Sequence, residues 1–203
     1  MDQDQLPFKI AQFWQWFQRN ERLYREITDV QAAKEAMDNQ ILEFGLFSWE
    51  IEEKDATRFN LTISPNGDKN RLDLSRKIVE AAPALHHWQF HYCKLPKNWD
   101  FKFEMYDRYM LRQQYDASGW EFALLEQFDN QIEIIIKTDN LYDLDPDDEL
   151  DAGDFAITQI LGEELVIEHL DAFEMVTEFE PDHPAGRYKL PELRYHFEKM
   201  LMG

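Results

Sequence analysis

The sequence predicts an α+β fold: a mostly antiparallel sheet of about six strands, with N-terminal, central and C-terminal helices packed on it. Two observations carry this expectation. The apolar period switches repeatedly between three-to-four residues and two, and the segments of period two are joined by short polar turns that suit hairpins. No Gly/Ser linker, low-complexity tract or internal repeat divides the chain, so a single domain over residues 1–203 is expected.

The first element is an amphipathic helix. Leu6, Ile10, Phe13, Trp14, Phe17, Tyr24 and Ile27 recur at helical spacing, with Gln12, Gln15, Gln18 and Arg19 between them. Asp29 suits the N-cap of a second helix through Val30 to Phe44, ended by Gly45. From Leu46 the period becomes two: Phe47, Trp49 and Ile51, then Phe59, Leu61 and Ile63, alternate with polar neighbours and predict a hairpin. Pro65-Asn66-Gly67-Asp68 is a turn, and a helix from Asp73 to Ala82, halted by Pro83, places Leu74, Ile78, Val79 and Ala82 on one face.

Trp88, Phe90 and Tyr92 alternate with His87, Gln89 and His91 in a predicted strand, and Phe101, Phe103 and Met105 continue the alternation after Pro96. The clearest hairpin joins Trp120–Leu125 to Ile132–Lys137 through Asp129-Asn130, and the apolar run Ile134 to Ile136 predicts a central strand covered on both faces. The remainder predicts a helix from Asp147 to Leu161, an extended segment from Ala172 to Phe179, a loop over 181–186 and a closing helix from Pro191 to Met200.

Charge is distributed unevenly. Of a net charge of −20, residues 113–187 contribute 2 basic and 21 acidic side chains, whereas residues 69–112 carry 9 basic and 5 acidic. The 6 Trp, 8 Tyr and 15 Phe place this acidity on a folded surface, because acidic disordered chains are poor in aromatics. Such a field repels polyanions and anionic membranes and favours cationic partners. A lone Cys93 forms no internal disulfide, and Met1-Asp2-Gln3-Asp4-Gln5 lacks the basic and apolar regions of a signal peptide, so the expected location is cytoplasmic. No apolar run approaches the about 20 residues of a membrane span.

Two stretches together carry a resemblance. SWEI at 48–51, LTISPNGD at 61–68, IVEAAPAL at 78–85, WQF at 88–90 and KLPK at 94–97 form the first; FAITQILGEE at 155–164 forms the second. The chain is similar in these motifs to a family of uncharacterised bacterial proteins, a domain of unknown function. The resemblance spans about half the chain, implies a bacterial, cytoplasmic α+β protein and transfers no catalytic residue.

Candidate chemistry is sparse. Asp143, Asp145, Asp147, Asp151 and Asp154 fall at loop positions 1, 3, 5, 9 and 12 of an EF-hand, but Asp148 stands where that loop turns on Gly, Pro146 stiffens it and Asp154 is shorter than the closing Glu. The alternative is a helix start, with Asp145 as N-cap, Pro146 at the first helical position and acids in the first turn. His87 and His91 share one face of their strand and are the second metal candidates. Cys93 reads as a small buried hydrophobe rather than a nucleophile. No phosphate-cradling glycine loop is present, so no cofactor is expected. Lys94, Lys97, Lys102, Arg108 and Arg112 interleave with Trp99, Phe101, Phe103, Tyr106 and Tyr109, a pattern that suits a nucleic-acid strand or an acidic peptide. The surrounding negative charge opposes nucleic acid, and the plainer reading is a strand with buried aromatics and solvated lysines; a groove for the chain's own acidic segment, within one copy or in a homodimer, is the alternative.

The function expected is therefore a noncatalytic acidic binding module for a cationic protein, with an immunity-like inhibitor of a basic nuclease as its special form. The alternatives are a metal-assisted hydrolase drawing on the His87/His91 and 143–154 groups, and a small-molecule binder with an aromatic pocket lined by Trp14, Trp49, Trp88, Trp99 or Trp120.

Overall fold

The computed structural model describes residues 5–26, 30–141, 144–180 and 185–203. The fold is α+β, and by its internal contacts the chain gathers into two compact units, Met1–Lys94 and Leu95–Gly203. One six-stranded sheet is not formed. Among the described residues there are three small sheets, of three, two and four strands. Four of the six strand pairings are antiparallel; the other two are parallel pairs closed through helices, so each unit completes its own sheet over its own apolar cluster.

The first unit opens with α1 (Leu6–Arg25) and α2 (Val30–Leu42). Ile27 and Asp29, expected as a core residue and a cap, lie outside the described residues. As the spacing predicts, Ile10, Phe13, Trp14, Phe17 and Tyr24 form the buried stripe of α1. Phe17 is fully enclosed, edge-on to Trp88 with ring centroids 5.0 Å apart and stacked on Tyr24 at 5.8 Å. The two buried indoles of this unit keep their N–H groups satisfied: Trp14 Nε1 donates to the Ile78 carbonyl at 2.7 Å, and Trp88 Nε1 to Glu21 Oε2 at 2.7 Å.

Strands β1 (Ser48–Asp55) and β2 (Arg58–Ser64) form the expected hairpin. The turn after β2 places Asn66 and Gly67 at φ 56° and 69°, conformations that Asn and Gly tolerate best. It delivers Asp68 as N-cap of α3 (Lys69–Glu80), whose side chain accepts from the Asn70 N–H at 2.9 Å. That cap starts α3 four residues earlier than the apolar period alone suggests. The helix returns the chain to β3 (Trp88–His91), parallel to β2, in the order β1-β2-β3.

In the second unit β4 (Lys102–Tyr106) and β5 (Arg112–Asp116) stand as a two-stranded antiparallel sheet. Phe103 and Tyr115, stacked at 4.9 Å, join it to the unit's apolar cluster. Strands β6 (Glu121–Glu126) and β7 (Ile132–Lys137) form the predicted hairpin, turned by left-handed Asp129 and Asn130 at φ 60° and 58°. Ile134, Ile135 and Ile136 are all buried, as a strand covered on both faces requires.

Helices α4 (Pro146–Leu161) and α5 (Glu163–His169) then lead to β8 (Leu170–Val176), parallel to β7. A short β9 (Arg187–Lys189) pairs with β6, giving the order β8-β7-β6-β9, and α6 (Leu193–Leu201) closes the chain. Gly162 breaks α4 from α5 at φ 84° and ψ 149°, backbone angles that are essentially reserved for glycine. No helix among the described residues is long and apolar enough to cross a membrane.

Candidate functional site

The most unusual surface of the second unit is built by the five-residue loop Asp107–Leu111 between β4 and β5. Asp107 organises it. Its Oδ1 accepts from the backbone N–H groups of Tyr109 at 2.9 Å and Leu111 at 2.8 Å, while its Oδ2 accepts from Gln113 Nε2 at 2.9 Å. Donation from Gln113, Leu111 and Tyr109 holds the carboxyl below its ordinary range. Met110 takes the left-handed conformation at φ 61° that the closing turn needs, and the Asp107 N–H donates to the Leu111 carbonyl at 2.9 Å. With the backbone tied inward, the apolar side chains point away: Tyr106 is 65 % exposed, Tyr109 74 %, Met110 75 % and Leu111 60 %.

The same loop reaches the start of α4. Asp145 caps the helix by accepting from the Asp147 N–H at 3.2 Å, with Pro146 at its first position and Asp147, Asp148 and Glu149 in the first turn. Arg108 is the bridge. Its Nη1 donates to Asp145 Oδ2 at 2.5 Å, its Nη2 to Asp147 Oδ2 at 3.2 Å, and its backbone N–H to Asp148 Oδ1 at 3.1 Å. Burial works against the charge on Arg108, but Asp145, Tyr109 and Asp147 prevail and raise its pKa above the ordinary value.

Between loop and helix lies a shallow hollow of ≈ 420 Å³, lined by Asp107, Asp145 and Asp148 together with Tyr109, Gln113, Leu144 and Pro146. The acidic field extends inward to Tyr115, whose hydroxyl pKa is raised by burial first and then by Asp148, Asp107 and Asp151. Outward, Asp147, Asp151 and Asp154 follow one another at helical spacing along the exposed side of α4, with the partly exposed Leu150 between them.

The remaining sequence candidates occupy other surroundings. Residues 146–154 are helical, so Asp147, Asp151 and Asp154 project from a helix surface and do not converge as the ligands of a calcium loop do. Asp143 lies outside the described residues. His87 lies in the turn that precedes β3 and only His91 stands on that strand, so the two do not share one strand face as the alternation predicts. His87 Nδ1 lies 2.8 Å from the Thr57 carbonyl, whereas His91 Nε2 is buried without a hydrogen-bond partner among the described residues. No three His, Cys, Asp or Glu side chains among the described residues gather into a metal-binding group. His87 and His91 also belong to the first unit and the 143–154 acids to the second.

Cys93 is buried. The indoles of Trp14, Trp88 and Trp120 are core: each is at most 6 % exposed and each N–H is bonded, that of Trp120 to Asn140 Oδ1 at 2.9 Å. Trp49 and Trp99 are partly buried against the two clusters. In the basic stretch, Lys102 pairs with Asp116, Arg112 with Glu104 and Arg108 with the acidic helix start, so three of its cations serve their own unit.

Sequence reasoning identified Tyr106, Tyr109 and Arg108 but missed Met110 and Leu111. The signal was present as three consecutive large apolar residues, Tyr109-Met110-Leu111, at a hairpin turn where polar residues are the rule. Comparisons of the chain with protein-family models, curated proteins and solved structures find no match.

Proposed function

We propose that this chain is a noncatalytic binding module that engages a cationic protein through the acidic surface at the start of α4. The observation carrying this reading is the display of acids there. Asp147, Asp151 and Asp154 share the exposed side of one rigid helix, and Asp145 and Asp148 wall the hollow at its N-terminus. Arg108 adds support, because a guanidinium is already accommodated by this surface within the chain itself. A cluster of carboxylates on a preformed element gives long-range attraction and orientation toward a basic surface. An immunity-like inhibitor covering a basic active site is the most specialised form of the same reading, with the cytoplasm as its place of action.

Retention on an immobilised cationic protein at low salt tests it. Wild type should bind and should elute as salt rises, and the variant combining Asp147→Asn, Asp151→Asn and Asp154→Asn should elute at clearly lower salt. Retention that ignores salt, or that the triple variant leaves unchanged, would refute the assignment.

A further inference from the structure

Resting on that acidic-surface reading, we propose that the tip of the β4–β5 hairpin is its apolar anchor. The partner then binds through a segment that presents an aliphatic or aromatic side chain next to Lys or Arg. Four large apolar residues within six positions, Tyr106, Tyr109, Met110 and Leu111, are each at least 60 % exposed. Scattered exposed hydrophobes are ordinary on a soluble surface, but a contiguous cluster on one turn is the mark of an interaction site.

The cluster is also held ready. Asp107 ties the loop through three hydrogen bonds and Arg108 clamps it to α4, so little conformational freedom remains to be lost on association. Tyr and Met suit this role, Tyr as a stiff amphipathic ring and Met as an adaptable thioether.

Charge complementarity selects the occupant. Through Arg108 the apolar tip adjoins Asp145, Asp147 and Asp148, so whatever covers the tip meets the acidic wall at the same time. A second copy of this chain brings another net −20 and is repelled, and nucleic acids and anionic membranes are repelled for the same reason. A partner segment mixing apolar and basic side chains satisfies both halves. Its apolar group covers Met110 and Leu111 while its cation enters the hollow between Asp107 and Asp148.

The test uses the full chain and two synthetic peptides of equal length and equal positive charge, one pairing Lys with Leu, the other Lys with Ser. Wild type should bind the Lys–Leu peptide about tenfold more tightly or better, the increment expected from covering one large apolar side chain. The double variant Met110→Ser, Leu111→Ser, at two exposed residues that do not line the hollow, should lose that preference and keep its salt-dependent binding of the Lys–Ser peptide. Phe128→Ser, which alters the 90 % exposed Phe128 on the β6–β7 turn, should leave the preference intact. Equal affinity of wild type for the two peptides overturns the anchor while leaving the acidic surface standing. So does a preference that survives the double variant, or one that Phe128→Ser abolishes as well. Failure of wild type to bind either peptide at low salt overturns both readings.

Discussion

The two units use one arrangement of strands for opposite electrostatic ends. Each contains an antiparallel hairpin, β1–β2 or β6–β7, whose second strand is followed by a helical crossover into a third strand lying parallel to it. Even the helix starts agree: Asp68 caps α3 and Asp145 caps α4. The crossovers differ in what they show to solvent. Helix α3 carries Lys69, Arg71, Arg76 and Lys77 against Asp73 and Glu80, whereas α4 carries Asp147, Asp148, Glu149, Asp151 and Asp154 with no basic residue. Strand order follows from buried apolar positions and turns, so the outer face of a crossover is free to vary in charge without altering topology. The acidity of α4 is thus not required by the strand arrangement that the two crossovers share, and the proposed recognition surface rests on that contrast.

The comparison is sharpened most strongly by emptying each core in turn. Phe17→Ala in the first unit and Phe122→Ala in the second remove fully buried rings and should each cost about 3–5 kcal/mol in denaturant unfolding. Hydrogen exchange should accelerate first in the unit that carries the change. Uniform acceleration along the chain for both variants would break the division into two cores.

A smaller effect separates the two crossovers at their ends. Gly162→Ala after α4 forces a side chain onto φ 84° and ψ 149° and should cost about 1–3 kcal/mol. Ala81→Gly after α3, at φ −85°, should change stability by less than about 1 kcal/mol. Urea melts of the two variants read the contrast directly.

The gentlest test is pH. Burial is the largest cause holding the His91 pKa below its ordinary 6.5, with Lys54 adding to it and Glu52 opposing. The unfolded chain therefore binds a proton more readily than the folded one, so the His91 contribution is intact above pH 6.5 and is lost as pH falls below it. His91→Gln should flatten the melting temperature between neutral pH and mildly acid pH. Because His91 stands on β3, exchange in the first unit should show the change; an unaltered pH profile would remove His91 as its source.

Much of this architecture was legible in the residues. The stripe of α1, the Pro65–Asp68 turn, the β6–β7 hairpin and the span of α4 each announce themselves through local period or turn chemistry. Strand β5, Arg-Gln-Gln-Tyr-Asp, has a single buried residue, Tyr115, and leaves no period to recognise. Helix α5 and the three-residue β9 are too short to leave one. The boundary between units follows Lys94, inside a stretch whose composition marks no linker. Half of the candidate site was readable as the capped acidic helix start; the hairpin tip was not, because its exposure depends on how Asp107 folds the loop.

From the order of residues alone came the α+β class, the helices and hairpins, and the concentration of acid in 113–187, since period, capping and charge act between near neighbours. Folding in three dimensions settled that β3 joins β2 and β8 joins β7 in parallel, that two cores form, and that Arg108 draws an apolar loop against the acidic start of α4. Those outcomes join residues far apart along the chain, Arg108 and Asp145 by 37 positions and Trp14 and Ile78 by 64. They depend on which long-range contacts repay the entropy of closing the chain, a comparison that no local window contains.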